Sequence, residues 1–292
     1  MAYFLSEKST NVRNNTEGGW LDGLAGLFQP WSRQGQVLAE GRRMYLMPER
    51  AVTPPALPEP AGGVVLAVPG FTPHLAARLW GAQRGDTAPL VMLVHDWEYQ
   101  IHDMLPFVQP LLDAGARVVA FDAPAHGRSS GDEATLPVMA AAIRAVAAAA
   151  GGRVVGVIAH GVGAAALTLA IQDGFDAGRA VLLAPLVDLT LPLRQIAHVL
   201  RLDSDGEHAL GRMVDRALGT PLASLHLHGD ALTRALLIHS VDDRIMPVSD
   251  GLLLAASWPG LSTHLVQGLG HRRLLSDVGV VDRAVGFALR GE

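Results

Sequence analysis

Residues 153–167 read Arg153-Val154-Val155-Gly156-Val157-Ile158-Ala159-His160-Gly161-Val162-Gly163-Ala164-Ala165-Ala166-Leu167, and their reading decides the fold. The β-branched residues before Ala159 predict a buried strand, the glycines around His160 a sharp turn, and the alanine-rich run after Gly163 a helix. A strand that turns at once into a helix is the repeating unit of a parallel sheet. The apolar stretch from Val154 to Ile171 approaches membrane-span length, but Gly156, His160, Gly161 and Gly163 punctuate it. Strand, turn and buried helix explain it better than a bilayer, so stable membrane insertion is not expected.

The same alternation extends in both directions. Upstream, Val64 to Val68, a Pro69-Gly70 turn and a strand near His74 to Trp80 predict a hairpin, followed by a strand at Leu90 to His95 and a helix at Leu105 to Ala114. Arg117 to Phe121 predicts a strand and Leu136 to Ala150 an alanine-rich helix. Downstream come strands at Ala180 to Leu183, Ala235 to His239 and Ser262 to Gln267, with helical patterns at Leu252 to Trp258 and Val280 to Leu289. This order predicts an α/β fold with a mostly parallel sheet covered by helices on both faces. Residues 62–292 are expected to form that domain, with a helical insertion at about 189–233, broken at Gly219-Thr220-Pro221, acting as a short lid. Residues 1–61 read as an N-terminal helical extension, with amphipathic pattern from Trp20 to Met47 and a break at Pro30. A stiff connector bearing Pro54, Pro55, Pro58 and Pro60 follows.

Composition narrows the function classes. A chain of 292 residues with 49% hydrophobic content can bury a large core, and its net charge of -5 offers no basic field to attract nucleic acid. No cysteine is present, so disulfides and thiolate metal sites are absent. Lys8 is the only lysine among many Ala, Gly and Arg, a bias that suggests a GC-rich bacterial source. The first residues lack a basic region followed by an apolar core, so a cytoplasmic location is expected.

Two functional readings compete for the turn at Gly161. Gly161-Val162-Gly163-Ala164-Ala165-Ala166 fits G-x-G-x-x-A, the phosphate-binding turn of dinucleotide folds. The following strand, however, ends in Ala184-Pro185 without the acidic residue that would hold a ribose, and no cofactor is expected. The other reading rests on further motifs: His95-Asp96-Trp97 after one strand, Phe121-Asp122-Ala123-Pro124-Ala125-His126-Gly127-Arg128-Ser129 after the next, His239-Ser240-Val241-Asp242-Asp243-Arg244-Ile245-Met246-Pro247, and Gly268-Leu269-Gly270-His271. With the Ala159 to Gly163 turn they resemble the α/β-hydrolase superfamily, near its bacterial esterase and lysophospholipase-like members, over roughly residues 62 to 290.

The resemblance implies roles. His271 matches the general base and acid, and Asp243 the carboxylate that orients it, with Asp242 the adjacent rival and Asp188 a further alternative. Backbone N–H groups of Val162 and Trp97 match the oxyanion hole. The implied ligand is a small apolar ester-like or acyl molecule.

The chain departs from the family at two positions. Gly161 stands where the nucleophilic serine belongs, and Asp96 follows His95 where the family usually has glycine. Losing a triad serine costs on the order of a million-fold in turnover, roughly 8 kcal/mol. An ionised Asp96 about 4 Å from an oxyanion would oppose it by ~4 kcal/mol at an effective dielectric of about 20. Three explanations follow: a deliberately silenced esterase, a non-catalytic binder, or a nucleophile-free acid/base enzyme such as a lyase or cyclase. Two departures favour natural divergence, since silencing needs only one. His95, His160 and Asp96 suggest a metal set, but the family carries histidines at both positions for packing, so no metal is expected. His126, Ser129 and Ser130 read as parts of a structural loop.

Overall fold

The computed structural model describes residues 33–50, 59–229 and 233–291. The helical pattern expected from Trp20 to Pro30, most of the proline connector, and residues 230–232 of the insertion lie outside the described residues. Two compact units are formed: a helical one from the N-terminal segment through Met47 together with Leu189–Leu225, and a larger one from Pro48–Asp188 with His226–Glu292.

The larger unit is built on an eight-stranded sheet. Its strands are β1 (Val64–Leu66), β2 (Ala77–Trp80), β3 (Leu90–Val94), β4 (Arg117–Phe121), β5 (Val154–His160), β6 (Arg179–Leu183), β7 (Arg234–Ser240) and β8 (Leu261–Val266). They lie in the order β1-β2-β4-β3-β5-β6-β7-β8. β2 runs antiparallel to both its neighbours, and the six strands from β4 to β8 are parallel. Every residue of β3 and β4 is buried, which is why β3 and, after Arg117, β4 read as continuous apolar runs rather than alternating ones.

Side chains alternate between two cores. Met92, Val94, Val119, Phe121, Val157 and Leu182 point to one face, where Met139, Ile143 and Val146 of α3 (Leu136–Ala150) and Leu167 and Ile171 of α4 (Gly161–Gln172) cover them. Val91, Leu93, Val118, Ile158, Val181 and Leu236 point to the other, beneath α2 (Val108–Asp113) and α8 (Val278–Arg290). α7 (Val248–Ser257) joins β7 to β8. Thr135 and Asp277 cap α3 and α8 through their side chains, each cap contributing about 1 kcal/mol.

The helical unit contains α1 (Arg33–Leu46), α5 (Leu191–Val199) and α6 (Ser204–Leu218), packed on one another. Gly41 lets α1 approach Leu200 and Leu210, and Tyr45 Oη donates to the Leu189 carbonyl at 3.2 Å. The N-terminal helix therefore pairs with the insertion between β6 and β7, two segments remote in sequence. Among the described residues no helix is long and apolar enough to cross a membrane.

Two local expectations need adjustment. The hairpin is present, but residues 67–76 form its connection rather than a tight turn at Pro69-Gly70. The helix expected from Leu105 opens as a 3-10 helix, Ile101–Phe107, and becomes α-helical only at Val108. Pro106 lies inside that first segment and supplies no N–H to an α-helical ladder.

Strand order positions the site. From β3 the chain moves outward to β4 and then returns to β5 on the opposite side of β3. At such a reversal the loops leaving the carboxyl ends of the two central strands diverge and leave a crevice. Asp96 follows β3, and Gly161 follows β5.

Candidate active site

Asp96, Gly161, Asp243 and His271 meet at these strand ends. His160 closes β5 in extended backbone, and Gly161 opens α4 at φ 53, a left-handed conformation that side-chain-bearing residues adopt only under strain. Gly163, two residues on, packs against the His95 carbonyl, so α4 rests directly on the end of β3.

Asp96 points into the turn. One carboxylate oxygen, Oδ1, accepts the Val162 backbone N–H at 2.6 Å, and Oδ2 lies 2.9 Å from His271 Nε2. A Cβ on Gly161 would fall closer than 3.0 Å to the carboxylate of Asp96, a separation that real Cβ atoms essentially never show. The carboxylate thus fills the space in which a side chain at position 161 would begin.

On its other ring nitrogen, Nδ1, His271 meets Asp243 Oδ2 at 2.8 Å. Asp243 Oδ1 accepts the backbone N–H groups of Ile245 and Met246, which fixes the carboxylate from below. Asp242 instead bonds Ser240 Oγ and the Gly268 N–H, shaping the loop that carries His271. The carboxylate on His271 Nδ1 is therefore Asp243, rather than Asp242 or Asp188.

Burial alone would lower the pKa of His271, but Asp243 and Asp96 outweigh it and raise it to about 9. Burial would raise both carboxylates. For Asp96, the hydrogen bond and charge attraction of His271 reverse that and hold it well below the usual carboxylate range. For Asp243, the bonds from His239 and His271 do the same. Two carboxylates against one imidazolium leave the chain of three with a net negative charge.

The other candidates divide clearly. His95 accepts the Ala123 N–H at Nε2 (2.8 Å) and meets the Asp96 carbonyl at Nδ1 (2.6 Å), so the Nδ1 proton is donated there and both nitrogens are committed to backbone. Burial pushes its pKa down to about 4. Trp97 packs edge-on against His126 at 5.1 Å, and its indole Nε1 is buried without a partner. Ser129 Oγ donates to the Asp122 carbonyl and accepts the Ala76 N–H, tying the loop after β4 to β2. Ser130 Oγ reaches the His74 carbonyl at 3.3 Å.

His160 stacks on His271 with ring centroids 4.4 Å apart. Its Nε2 lies 3.2 Å from the His271 carbonyl, while its Nδ1 is buried without a hydrogen bond, 4.0 Å from Asp96 Oδ2. Sequence reasoning gave no role to His239, which is fully buried with Nε2 3.5 Å from Asp243 Oδ2. It also passed over Tyr99, whose ring lies 5.4 Å from His160 and carries Arg272 above it. A histidine eight residues before Pro247 has no chemical signature of its own, and Tyr99 follows Glu98, whose backbone adopts φ 61, a turn that the sequence does not announce.

Known proteins share this frame. Residues 65–284 match the family model described as "Alpha/beta hydrolase family". The chain belongs to the α/β-hydrolase family. Among solved structures, an esterase from Pyrococcus furiosus is 17% identical, covering 83% of this chain and 98% of its own, with a TM-score of 0.59. A hydrolase from Agrobacterium vitis is 18% identical over 78% of this chain and 97% of its own, with a TM-score of 0.58. Est1E from Butyrivibrio proteoclasticus, bound to ferulic acid, is 15% identical over 78% and 98%, with a TM-score of 0.56. No curated protein matches in sequence. At these identities the likeness is one of fold.

Proposed function

We propose that this α/β-hydrolase acts on a small acyl or ester-like ligand without forming an acyl-enzyme, using His271 as its proton-transfer group and Asp96 as the partner that replaces the serine. One observation carries the reading: the Asp96 carboxylate occupies the side-chain space of residue 161 and bonds His271 Nε2, the nitrogen that would face a nucleophile. His271 keeps its orienting carboxylate, Asp243, so proton transfer to or from a ligand remains available while nucleophilic attack from position 161 does not. An oxyanion would meet the Asp96 charge and find the Val162 N–H already taken, which disfavours tetrahedral acyl chemistry at this spot.

A second reading, a non-catalytic binder, is favoured by one feature: Asp96 satisfies His271 and Val162 together, leaving a self-contained hydrogen-bonded set. Thermal-shift screening of esters, acids and lactones identifies ligands, since a molecule that binds only the folded state stabilises it by an amount that grows with the logarithm of its concentration above Kd. Turnover of those ligands is then followed in the parent and in His271→Ala. The acid/base reading expects turnover in the parent, no burst, no covalent adduct, and loss of the rate in the variant with little change in affinity. Equal inactivity of both on every ligand that binds would leave the binder.

A further inference from the structure

Among the buried side-chain atoms without a hydrogen bond, His160 Nδ1 lies beside Asp96 and His271, and the acid/base reading gives it no work. We propose that Asp96, His160 and His271 form a binding site for a divalent transition-metal ion of the zinc type, held by Asp96 Oδ2, His160 Nδ1 and His271 Nε2. The three atoms lie within 4.8 Å of one another, and all three residues are buried. Ligand atoms around a tetrahedral zinc at about 2.0–2.1 Å stand roughly 3.3 Å apart. Asp96 Oδ2 to His271 Nε2 measures 2.9 Å and Asp96 Oδ2 to His160 Nδ1 4.0 Å, so adjustments of less than about 1 Å bring both pairs to that spacing.

The outer groups fit as well as the inner ones. Metal-bound imidazoles donate their second N–H to a carbonyl or carboxylate, which fixes the tautomer and aims the other nitrogen at the ion. His160 Nε2 faces the His271 carbonyl and His271 Nδ1 faces Asp243, so each ring can keep a proton on its outer nitrogen while the ion displaces the one that His271 Nε2 shares with Asp96. The Val162 N–H holds the other oxygen of Asp96. Two imidazoles and one carboxylate suit zinc and its neighbours rather than calcium or magnesium, which prefer oxygen alone.

The sequence reading paired His160 and Asp96 with His95 instead. Both nitrogens of His95 are consumed by backbone, and the third donor comes from His271, 111 residues further along than His160 and placed there by the loop after β8. Glycine at 161 belongs to the same arrangement, because a side chain there would displace the Asp96 carboxylate that supplies the oxygen.

A bound ion would occupy His271 Nε2 and so take the place of proton transfer by that nitrogen rather than accompany it, and the test therefore reads binding alone. The full chain is stripped with chelator, titrated with zinc, and analysed for metal after gel filtration. About one zinc per chain is expected, with affinity reduced about tenfold or more in His160→Gln and in His271→Gln and unchanged in His208→Gln, which alters an exposed histidine. Retention that persists in a His160→Gln, His271→Gln double variant, or no retention by the parent, overturns the proposal. X-ray absorption on the zinc-loaded parent avoids reliance on variants that fold poorly. A first shell with two imidazoles and a carboxylate supports the site, and a shell with fewer than two imidazoles rejects it.

Discussion

Asp96 and Asp243 hold the same imidazole from opposite edges, one on each ring nitrogen of His271. A hydrolase histidine ordinarily has one carboxylate and one nucleophile. Here the second edge belongs to a carboxylate as well, and the consequences can be measured.

Gly161→Ser alone is expected to destabilise the protein, by about 1–3 kcal/mol as an overpacked buried site, and to leave it inert to fluorophosphonate. The added Cβ meets Asp96, and the φ of 53 adds strain. Gly161→Ser with Asp96→Gly removes the clash and is expected to recover most of that stability and to label. Denaturant unfolding and labelling of the purified single and double variants check both.

Asp243→Asn should be among the most damaging single changes at the site. Its side chain is fully buried and faces both His271 and His239, so replacing the charge leaves His271 tied only to Asp96. Breaking a buried pair by removing one partner costs about 3–5 kcal/mol. Chemical denaturation should show a loss of that size, with no comparable loss in Asp242→Asn.

Ser129→Ala is expected to cost about 1–3 kcal/mol by orphaning buried backbone groups at Ala76 and Asp122, without altering ligand affinity. A change in affinity larger than the change in stability would give Ser129 a part in ligand binding beyond its structural one.

Acid should unfold the protein partly through His126. Burial, with the nearby charge of His95, lowers its pKa to about 3, against about 6.5 in an unfolded chain. Between those values the unfolded state binds the extra proton, so stability is complete above about pH 6.5 and falls as pH drops towards 3. By pH 4 this one group should remove about 3 kcal/mol. Stability measured from pH 7 to 4 should fall less steeply in His126→Gln, and parallel slopes would show that His126 takes no part.

Most of the sheet was legible because buried parallel strands are apolar runs bounded by turn residues: Arg117 to Phe121 and Leu136 to Ala150 coincide with β4 and α3 to the residue. The connection at 67–76 was not, because Pro69-Gly70 satisfies a turn pattern wherever it occurs, and only pairing with β2 shows where the strand resumes. At the site, Gly161 and Asp96 stood out as departures, yet read one at a time they are two unrelated defects. Their fit depends on β3 and β5 being neighbours despite the intervening β4, information carried by strand order rather than by local pattern. His160 illustrates the same limit: a histidine before a turn is ordinary, and its unpartnered Nδ1 emerges only when His271 is folded against it.

The close fit of Asp96 against Gly161 also orders the steps by which such a site can arise. With any larger residue at 161, an aspartate at 96 has nowhere to put its carboxylate in the present position, so the glycine has to come first. Once both are in place, neither change is undone alone without a penalty: a serine at 161 collides, and losing the aspartate strands an imidazole facing an empty turn. The two residues are interlocked, and no single substitution at either position gives this site a serine nucleophile with room to act.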